Sequence, residues 1–418
     1  MKILMIAPYV TITSRPEFSR NKTGFGYMVM DIASAVAYEV KSKSGFVDLL
    51  TTDSRGSGFF YRDVRVLPRN MMRILANVHN NVHLSNVTKL MRTYHIEKAS
   101  SVRLYYYWMM SGYVKDIIKK GGYDIVHIHG CNYATELWME ICHTLNQRYI
   151  ITLHGLNSFS DTVALNNSAK EYERNFLRRV VEDGIPITVI STGMKQLIEK
   201  TYNNGRECNN ISVICNAFSF SNSNTDTAPI DIKTLHGVSA IEKVVICVGN
   251  ICKRKNQGQL IRAFDLLKEE LAMHTYLFFL GNSLDDNYSI DKLSSNSPWR
   301  SHFIKCGIVP KEIVKYYYEQ SDAIALMSLS EGFGLSLIEG MHFGKPCMSF
   351  KDVDAFMDIY NPDAMIGVGL HSDEAVAQGL EVLLTKEWDE GLIKKHSEKF
   401  DSTTMAKGYI DTFKRIQL

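Results

Sequence analysis

The chain has 418 residues, of which 45% are hydrophobic and 22% charged, and its formal net charge is +2 at pH 7. That length is too great for one hydrophobic core and predicts two domains of about 200 residues each. No stretch approaches the ~18 apolar residues that a membrane-spanning helix needs, and the apolar run after Met1 is too short for a secretory signal. The eight cysteines form no C-x-x-C pair, so we expect free thiols in a cytoplasmic protein.

The first half of the chain alternates short β-rich runs with helix-length segments, which is typical of a parallel sheet covered by helices. The predicted strands are Ile3–Ala7, Phe46–Leu50, Val64–Leu67, Asp124–His129, Tyr149–His154, Ile187–Ser191 and Ile211–Cys215. The clearest helical patterns are Gly26–Val40, Glu136–Leu145 and Ala169–Val181.

Residues 65–120 carry an excess of positive charge, with ten Lys or Arg against Glu97 and Asp116. Met71, Met72 and several aromatic residues are interspersed with these charges. Such a mixture suits peripheral contact with an anionic membrane. The same pattern is also expected of amphipathic helices that bury their aromatic residues and expose a basic face to solvent. The stretch contains no nucleic-acid-binding motif, so we expect no nucleic-acid partner.

A polar, aperiodic segment at 216–229 is the best linker candidate, and the alternation resumes after it. The predicted strands of the second half are Val244–Val248, Tyr276–Leu280, Phe303–Lys305, Ala323–Met327, Cys347–Phe350 and Met365–Val368, and a last helix covers Met405–Ile416. We therefore expect an N-terminal domain over 1–218 and a C-terminal domain over 240–400.

The most informative motif is S-E-G-F-G-L-S-L-I-E-G at 330–340, between two predicted strands. Glu331 and Glu339 flank a glycine-bracketed turn at the predicted start of a helix. A helix start offers free N–H groups and a positive dipole end to a phosphate, and glycines let a ligand approach the backbone. Glu339, one turn into the helix, can reach hydroxyls on one side of that phosphate. Glu331, in the loop, faces the group on the other side of it. A diphosphate flanked by two polyols is a nucleotide sugar.

This motif, followed by G-K-P at 344–346, resembles the E-x7-E signature of retaining GT-B glycosyltransferases, in particular the glycogen-synthase-like family four. The resemblance implies two doubly wound, Rossmann-like α/β domains that face a central cleft. It further implies an acceptor-side first domain, a donor-binding second domain, and a C-terminal helix at 402–418 that packs back on the first.

The resemblance assigns the donor site residue by residue. Glu331 would contact the transferred sugar, Glu339 the ribose, and the backbone of Gly332, Phe333, Gly334 and Leu335 the phosphate and sugar hydroxyls. The loop after the strand 244–248 matches the family's diphosphate clamp through Gly249 and Lys255. Asn250 stands where the family has Arg and Asn256 where it has Gly, so either Arg254 replaces the missing cation or the enzyme works with one cation fewer. Gly281 matches a donor-domain glycine loop, and Gly307 with Ile308 the segment that holds the nucleobase.

On the acceptor side, Gly24 and Gly26 match a paired-glycine loop that touches phosphate or acceptor, although Phe25 separates them. His154 closes a T-x-H-G strand end that faces the donor sugar in the family. His127 and His129 share one face of a strand without a third ligand at metal-binding spacing, so we expect buried, hydrogen-bonded imidazoles and no metal.

The resemblance thus implies a retaining hexosyltransferase that uses a UDP- or GDP-linked sugar and needs no metal or other cofactor. Glu331, His154 and Lys255 are its expected catalytic residues. A glycan or polyprenyl-linked acceptor, at the inner face of the membrane in bacterial surface polysaccharide synthesis, is the favoured hypothesis. The alternatives are a sugar-nucleotide epimerase or hydrolase, and a non-catalytic partner subunit, for which Asn250 is the one supporting feature.

Overall fold

The computed structural model describes residues 1–19, 24–161, 166–218, 230–285 and 288–416. The chain forms two compact units: Met1–Asn216 with Ser402–Leu418, and Ala217–Asp401. Each unit contains one sheet with helices around it. The linker predicted at 216–229 lies largely outside the described residues.

The strands of the first unit form an eight-stranded sheet in the order β3-β4-β2-β1-β5-β6-β7-β8, parallel except for β3. They are β1 (Lys2–Ala7), β2 (Phe46–Arg55), β3 (Phe59–Tyr61), β4 (Val64–Arg69), β5 (Ile125–His129), β6 (Tyr149–Leu153), β7 (Ile187–Val189) and β8 (Ile211–Val213).

The second unit has a six-stranded parallel sheet in the order β11-β10-β9-β12-β13-β14. Its strands are β9 (Lys243–Val248), β10 (Thr275–Leu280), β11 (Phe303–Gly307), β12 (Ala323–Leu326), β13 (Cys347–Phe350) and β14 (Met365–Val368). The central strands of both sheets are buried on both faces, as expected of parallel sheets sandwiched by helices.

The α-helices in chain order are α1 (Gly24–Lys41), α2 (Met71–Ala76), α3 (Leu84–Thr93), α4 (Lys98–Gly121), α5 (Tyr133–Thr144), α6 (Asn167–Glu182), α7 (Thr192–Tyr202), α8 (Ile232–Leu235), α9 (Gln257–Phe264), α10 (Glu269–Met273), α11 (Ile290–Leu293), α12 (Lys311–Gln320), α13 (Leu335–His342), α14 (Phe356–Ile359), α15 (Asp373–Thr385), α16 (Glu390–Ser397) and α17 (Ser402–Arg415). None of these helices is both long and apolar enough to cross a bilayer.

Helix α17 belongs to the first unit, where it packs against α1. Tyr409 and Phe413 are buried, and their rings lie 5.2 and 5.3 Å from the ring of His127. The last segment of the chain thereby covers a polar face of the first sheet.

Candidate active site

The carboxyl ends of β9, β10 and β11 each lead into a glycine that the sequence assigned to the donor site. The N–H of Gly249 donates to Leu280 O and that of Gly281 to Gly307 O, both at 2.8 Å. Gly281 has a φ of +151°, and a Cβ there would lie 2.3 Å from Gly249 O. The three loops therefore pack backbone against backbone, which only glycine permits at Gly281.

Glu331 lies in the loop after β12 and holds two cations. Its Oε2 is 2.5 Å from Lys255 Nζ and 3.4 Å from Arg254 Nη1. Ser328 Oγ donates to the same oxygen at 3.3 Å, and Arg254 Nη1 also donates to Ser330 O at 2.9 Å. The structure thus brings Glu331, Lys255 and Arg254 together, with two cations on one carboxylate.

The Glu331 side chain is only 16% exposed, so its charge state depends on these partners. Burial alone would raise the pKa of Glu331, but the positive charges of Lys255 and then Arg254 outweigh it and hold the pKa below its usual range. These three side chains together carry a net charge of +1, which suits an anionic ligand.

Helix α13 begins directly after this cluster, with Gly334 at the N-cap. Gly334 has φ +85°, a left-handed conformation that favours glycine, and no side chain caps the helix start. Among the described residues, no side chain therefore occupies the first amide groups of α13, and they can meet a ligand.

Glu339 is fixed by a tyrosine that sequence reasoning missed. Tyr318 Oη donates to Glu339 Oε2 at 2.7 Å, and Tyr318 is fully buried in α12 with its ring stacked on Phe343. Burial and the neighbouring carboxylate raise the pKa of Tyr318, so its hydroxyl stays protonated and donates. The signal in the sequence was the Tyr triplet at 316–318 in an amphipathic helix.

The turn between β9 and α9 explains one of the departures from the family motif. Asn256 has φ +55°, the left-handed region that Gly and Asn tolerate, so Asn can stand in the glycine position. Gln257, which the sequence did not single out, is buried and donates to Asn250 O at 3.1 Å, while its Oε1 accepts from Cys252 N–H. Asn250 itself is exposed.

The remaining donor-site residues lie around the same sheet edge. Gly332 and Leu335 are half-buried, and Ile308 is 54% exposed after β11. The Phe333 side chain is buried against Phe400, with 5.8 Å between ring centroids, so only its backbone is placed to meet a ligand.

At the carboxyl edge of the first sheet, aromatic and imidazole rings contact one another, whereas charged side chains pair at the edge of the second. His129 Nδ1 and His154 Nε2 are 3.1 Å apart, and the Phe25 ring meets the His154 ring edge-on at 4.9 Å. Burial lowers the pKa of His154 to about 4 and that of His129 well below its usual value. Both imidazoles are therefore neutral at pH 7, and Phe25 was not predicted as part of this group.

His127 lies in β5, two residues before His129 and farther from the carboxyl end of the strand. Its Nε2 is 2.6 Å from Thr152 Oγ1, and burial lowers its pKa to about 3. The histidines of β5 thus lie on one face, as predicted, and are buried and hydrogen-bonded.

The two glycines of the predicted acceptor loop differ in environment. Gly26 lies in the first turn of α1, where a Cβ would come within 2.2 Å of Thr11 Oγ1, so its smallness serves packing. Gly24 opens the helix with free space around its Cα. The residues just before it, including Lys22 and Thr23, lie outside the described residues.

The basic stretch at 65–120 is partly balanced within the first unit. Arg65 pairs with Asp48 and Arg103 with Asp53, while Arg73 and Lys120 share Asp116. Its tyrosines Tyr94, Tyr107 and Tyr113 are buried, whereas the apolar residues Met71, Met72, Leu75, Val78 and Leu84 are exposed. Three of its aromatic residues therefore belong to the core, and the exposed apolar side chains lie on α2, the turn after it and the start of α3, with Val102 and Tyr105 exposed on α4.

Two family models match most of this chain. Residues 231–403 match the model described as Glycosyl transferases group 1, and residues 54–220 match Glycosyltransferase Family 4. An uncharacterised glycosyltransferase of Methanocaldococcus jannaschii is 23% identical over 310 residues, covering 70% of this chain and 75% of that protein.

Solved structures share the whole architecture. HepE of Anabaena in complex with UDP matches with a TM-score of 0.66 and 16% identity, covering 100% of both chains. The lipopolysaccharide outer core galactosyltransferase WaaB in its apo form matches with a TM-score of 0.63 and 15% identity, covering 99% of both. At such identities these structures establish the fold, and the predicted fold class, two doubly wound α/β domains of the GT-B type, is confirmed.

Proposed function

We propose that this chain, a glycosyltransferase of the GT-B type, moves a hexose with retention from a UDP- or GDP-linked sugar to a glycan or lipid-linked acceptor. The observation that carries the proposal is the convergence of Lys255 and Arg254 on Glu331 beside the uncapped start of α13. A positive cluster next to free helix amides is what a nucleoside diphosphate requires.

Each group at this edge has a role in the proposed chemistry. The amides at the start of α13 hold the diphosphate, and Lys255 with Arg254 stabilises the charge that develops on it as the glycosidic bond breaks. Binding of the diphosphate draws these cations from Glu331, which is then free to hydrogen-bond the transferred sugar. Glu339, oriented by Tyr318, holds the ribose hydroxyls.

Retention follows, in this proposal, from substitution on one face of the sugar. The departing phosphate oxygen takes the proton of the acceptor hydroxyl, so positioning and electrostatics supply the rate enhancement. Because the side-chain cations and the helix start supply the positive charge, we expect turnover without added metal. Turnover that needs a divalent ion after EDTA treatment would contradict this part of the proposal.

The first unit supplies the acceptor side. In the proposed mechanism His154, whose neutral ring contacts His129 and Phe25, hydrogen-bonds a hydroxyl of the donor sugar. Gly24, at the open start of α1, offers backbone to a polar ligand.

A bacterial surface polysaccharide is the proposed product. The structural likeness to WaaB, named for the lipopolysaccharide outer core, supports such an acceptor, and the likeness to HepE, crystallised with UDP, makes UDP-sugars the first donors to test.

A donor panel tests the function. Purified protein is given UDP- and GDP-hexoses with and without candidate acceptors, and nucleotide release and the anomeric configuration of the product are measured. Acceptor-dependent release with retention is expected. Nucleotide binding without turnover of any donor would instead support a non-catalytic partner subunit. The neutral, exposed Asn250, which stands where the family has Arg, is the feature that favours this alternative.

We also propose that the first unit touches an anionic membrane through its exposed apolar surface. Met72 is 79% exposed and Leu75 61%, and Arg69, Arg73, Lys89 and Arg92 lie in the same stretch. Apolar side chains among cations are suited to the lipid headgroup region. In liposome flotation with anionic lipid, we expect the protein to float and Met72→Asp to reduce the floating fraction; protein that stays at the bottom overturns the membrane contact.

A further inference from the structure

A second carboxyl group stands beside Glu331 on the neighbouring strand loop. Strands β12 and β13 are parallel neighbours, and Leu326 pairs with Ser349 in their register. Glu331 and Asp354 each lie five residues beyond their member of that pair (331 − 326 and 354 − 349). Both residues therefore lie in loops that leave the carboxyl ends of adjacent strands, at the edge of the sheet where ligands bind in such folds.

The backbone around Asp354 is held firmly. Val353 and Ala355 on either side are buried, and the N–H of Phe356 donates to Val353 O at 2.9 Å. The Asp354 side chain is half-buried between these anchors. A side chain on a pinned segment presents its polar atoms in a defined place.

Asp354 also lacks the partners that Glu331 has. Among the described residues, no group donates a hydrogen bond to its carboxyl, and no cation pairs with it. Burial, followed by the negative charges of Glu331 and Asp352, raises the pKa of Asp354 to about 6. Among the described residues, the carboxyl thus has no protein donor and meets solvent, and a ligand hydroxyl can supply the missing hydrogen bond.

We propose that Asp354 determines sugar specificity by hydrogen-bonding a hydroxyl of the transferred hexose. The inference rests on the proposed function and adds a contact to it. A phosphate is the wrong partner, because it would meet two carboxyls that already repel each other. A hydroxyl both donates and accepts, so it fits Asp354 in either protonation state.

The consequence concerns discrimination between hexoses. A polar group that hydrogen-bonds one sugar hydroxyl favours the hexose that presents that hydroxyl over an epimer that does not. Removal of the Asp354 carboxyl should therefore weaken the choice between epimeric donors more than it weakens nucleotide binding.

The experiment compares Asp354→Ala and Asp354→Asn with Asp352→Ala. Asp352 is a matched control: it lies two residues away, its side chain is 66% exposed, and it pairs with His371. For each protein, kcat and KM are measured with the preferred UDP- or GDP-hexose and with its epimers, and the dissociation constant of the free nucleotide is measured by calorimetry. A melting curve confirms that each variant is folded.

We expect Asp354→Ala to lower kcat/KM for the preferred donor about 30-fold, as for a lost sugar hydrogen bond, and to bring the epimers closer together. Nucleotide affinity should stay within about twofold, Asp354→Asn should keep part of the discrimination, and Asp352→Ala should resemble the wild type.

Two results overturn the inference alone while the proposed function stands: unchanged discrimination in Asp354→Ala, or a loss of nucleotide affinity equal to the loss of kcat/KM. A wild-type protein that turns over no nucleotide-hexose overturns the proposed function and this inference with it.

Discussion

The carboxyl edges of the two sheets share an architecture and differ in chemistry. In the second unit, Glu331, Lys255 and Arg254 form a cluster of full charges. In the first, His154, His129 and Phe25 form a cluster of neutral rings. The difference teaches that the same kind of sheet edge can carry either full charges or neutral hydrogen-bonding rings; under the proposed function, the first suits an anion and the second uncharged hydroxyls.

The two edges differ because only one of them offsets the cost of burying a charged side chain. Burial disfavours any charge, and at Glu331 two cations reverse its effect on the pKa. At His154 no such partner is present among the described residues, so burial prevails and the imidazole stays neutral.

The largest expected effect breaks the charged edge. Lys255→Ala and Glu331→Ala should each lower turnover about 100-fold, because each removes a group that acts on the charge or sugar in the transition state. Lys253→Ala is the matched control, since Lys253 is exposed in the same turn. Steady-state kinetics with the best donor measure the effect, and near-normal rates in both site variants would refute the assignment.

A smaller effect sharpens the contrast at the neutral edge. His154→Ala should lower turnover about 10-fold, the scale of one neutral hydrogen bond to substrate. Because the pKa of His154 is about 4, the imidazole becomes charged only as the pH falls through that value. The ratio of wild-type to variant rates should therefore stay constant from pH 6 to 8, and a ratio that changes around pH 6.5 would show a titrating imidazole. His143→Ala removes an exposed histidine and serves as control.

The smallest effect concerns stability at the charged edge. The pKa of Asp354 is raised from its usual value near 3.8 to about 6, so its ionised form destabilises the folded protein. The penalty is absent below the lower value, grows as the pH rises between the two, and is complete above about 6. Asp354→Asn should therefore raise the free energy of unfolding of the second unit by about 1 kcal/mol at pH 8, after allowance for partial exposure, and by nothing at about pH 3.

Urea unfolding at the two pH values measures this difference. Asp352→Asn, at an exposed position, should show no such pH dependence. Equal stability of Asp354→Asn and the wild type at pH 8 would mean that the carboxyl carries no burial penalty.

The sheets could be read from the sequence because parallel strands are buried on both faces and appear as continuous apolar runs. Strand β3 was missed. It forms a hairpin with β4 through Arg62 and Asp63, which both have positive φ, whereas the usual signal for such a turn is Asn-Gly. A short antiparallel strand of this kind forms only if the turn adopts positive φ angles, and Arg and Asp do not predict such a turn.

At the candidate site, the sequence could locate motif residues but not the side chains that brace them. Glu331, Glu339 and Lys255 were predicted from spacing and resemblance. Tyr318 and Phe25 were not, because each acts through a contact with a residue distant in sequence. Gln257 was not, because its hydrogen bonds to the backbone of the same turn depend on a turn geometry that the sequence does not show. The sequence left two options for the cation missing at Asn250, and the structure places Arg254 at Glu331.

The return of α17 to the first unit sets an order of events during synthesis. Domains generally fold as units while the chain emerges from the ribosome. Here, Tyr409 and Phe413 follow the second unit in the chain, so the face around His127 stays uncovered until the whole second unit has been translated. The second unit can fold before the first is complete, and a chain truncated before residue 402 leaves the first unit without helix α17.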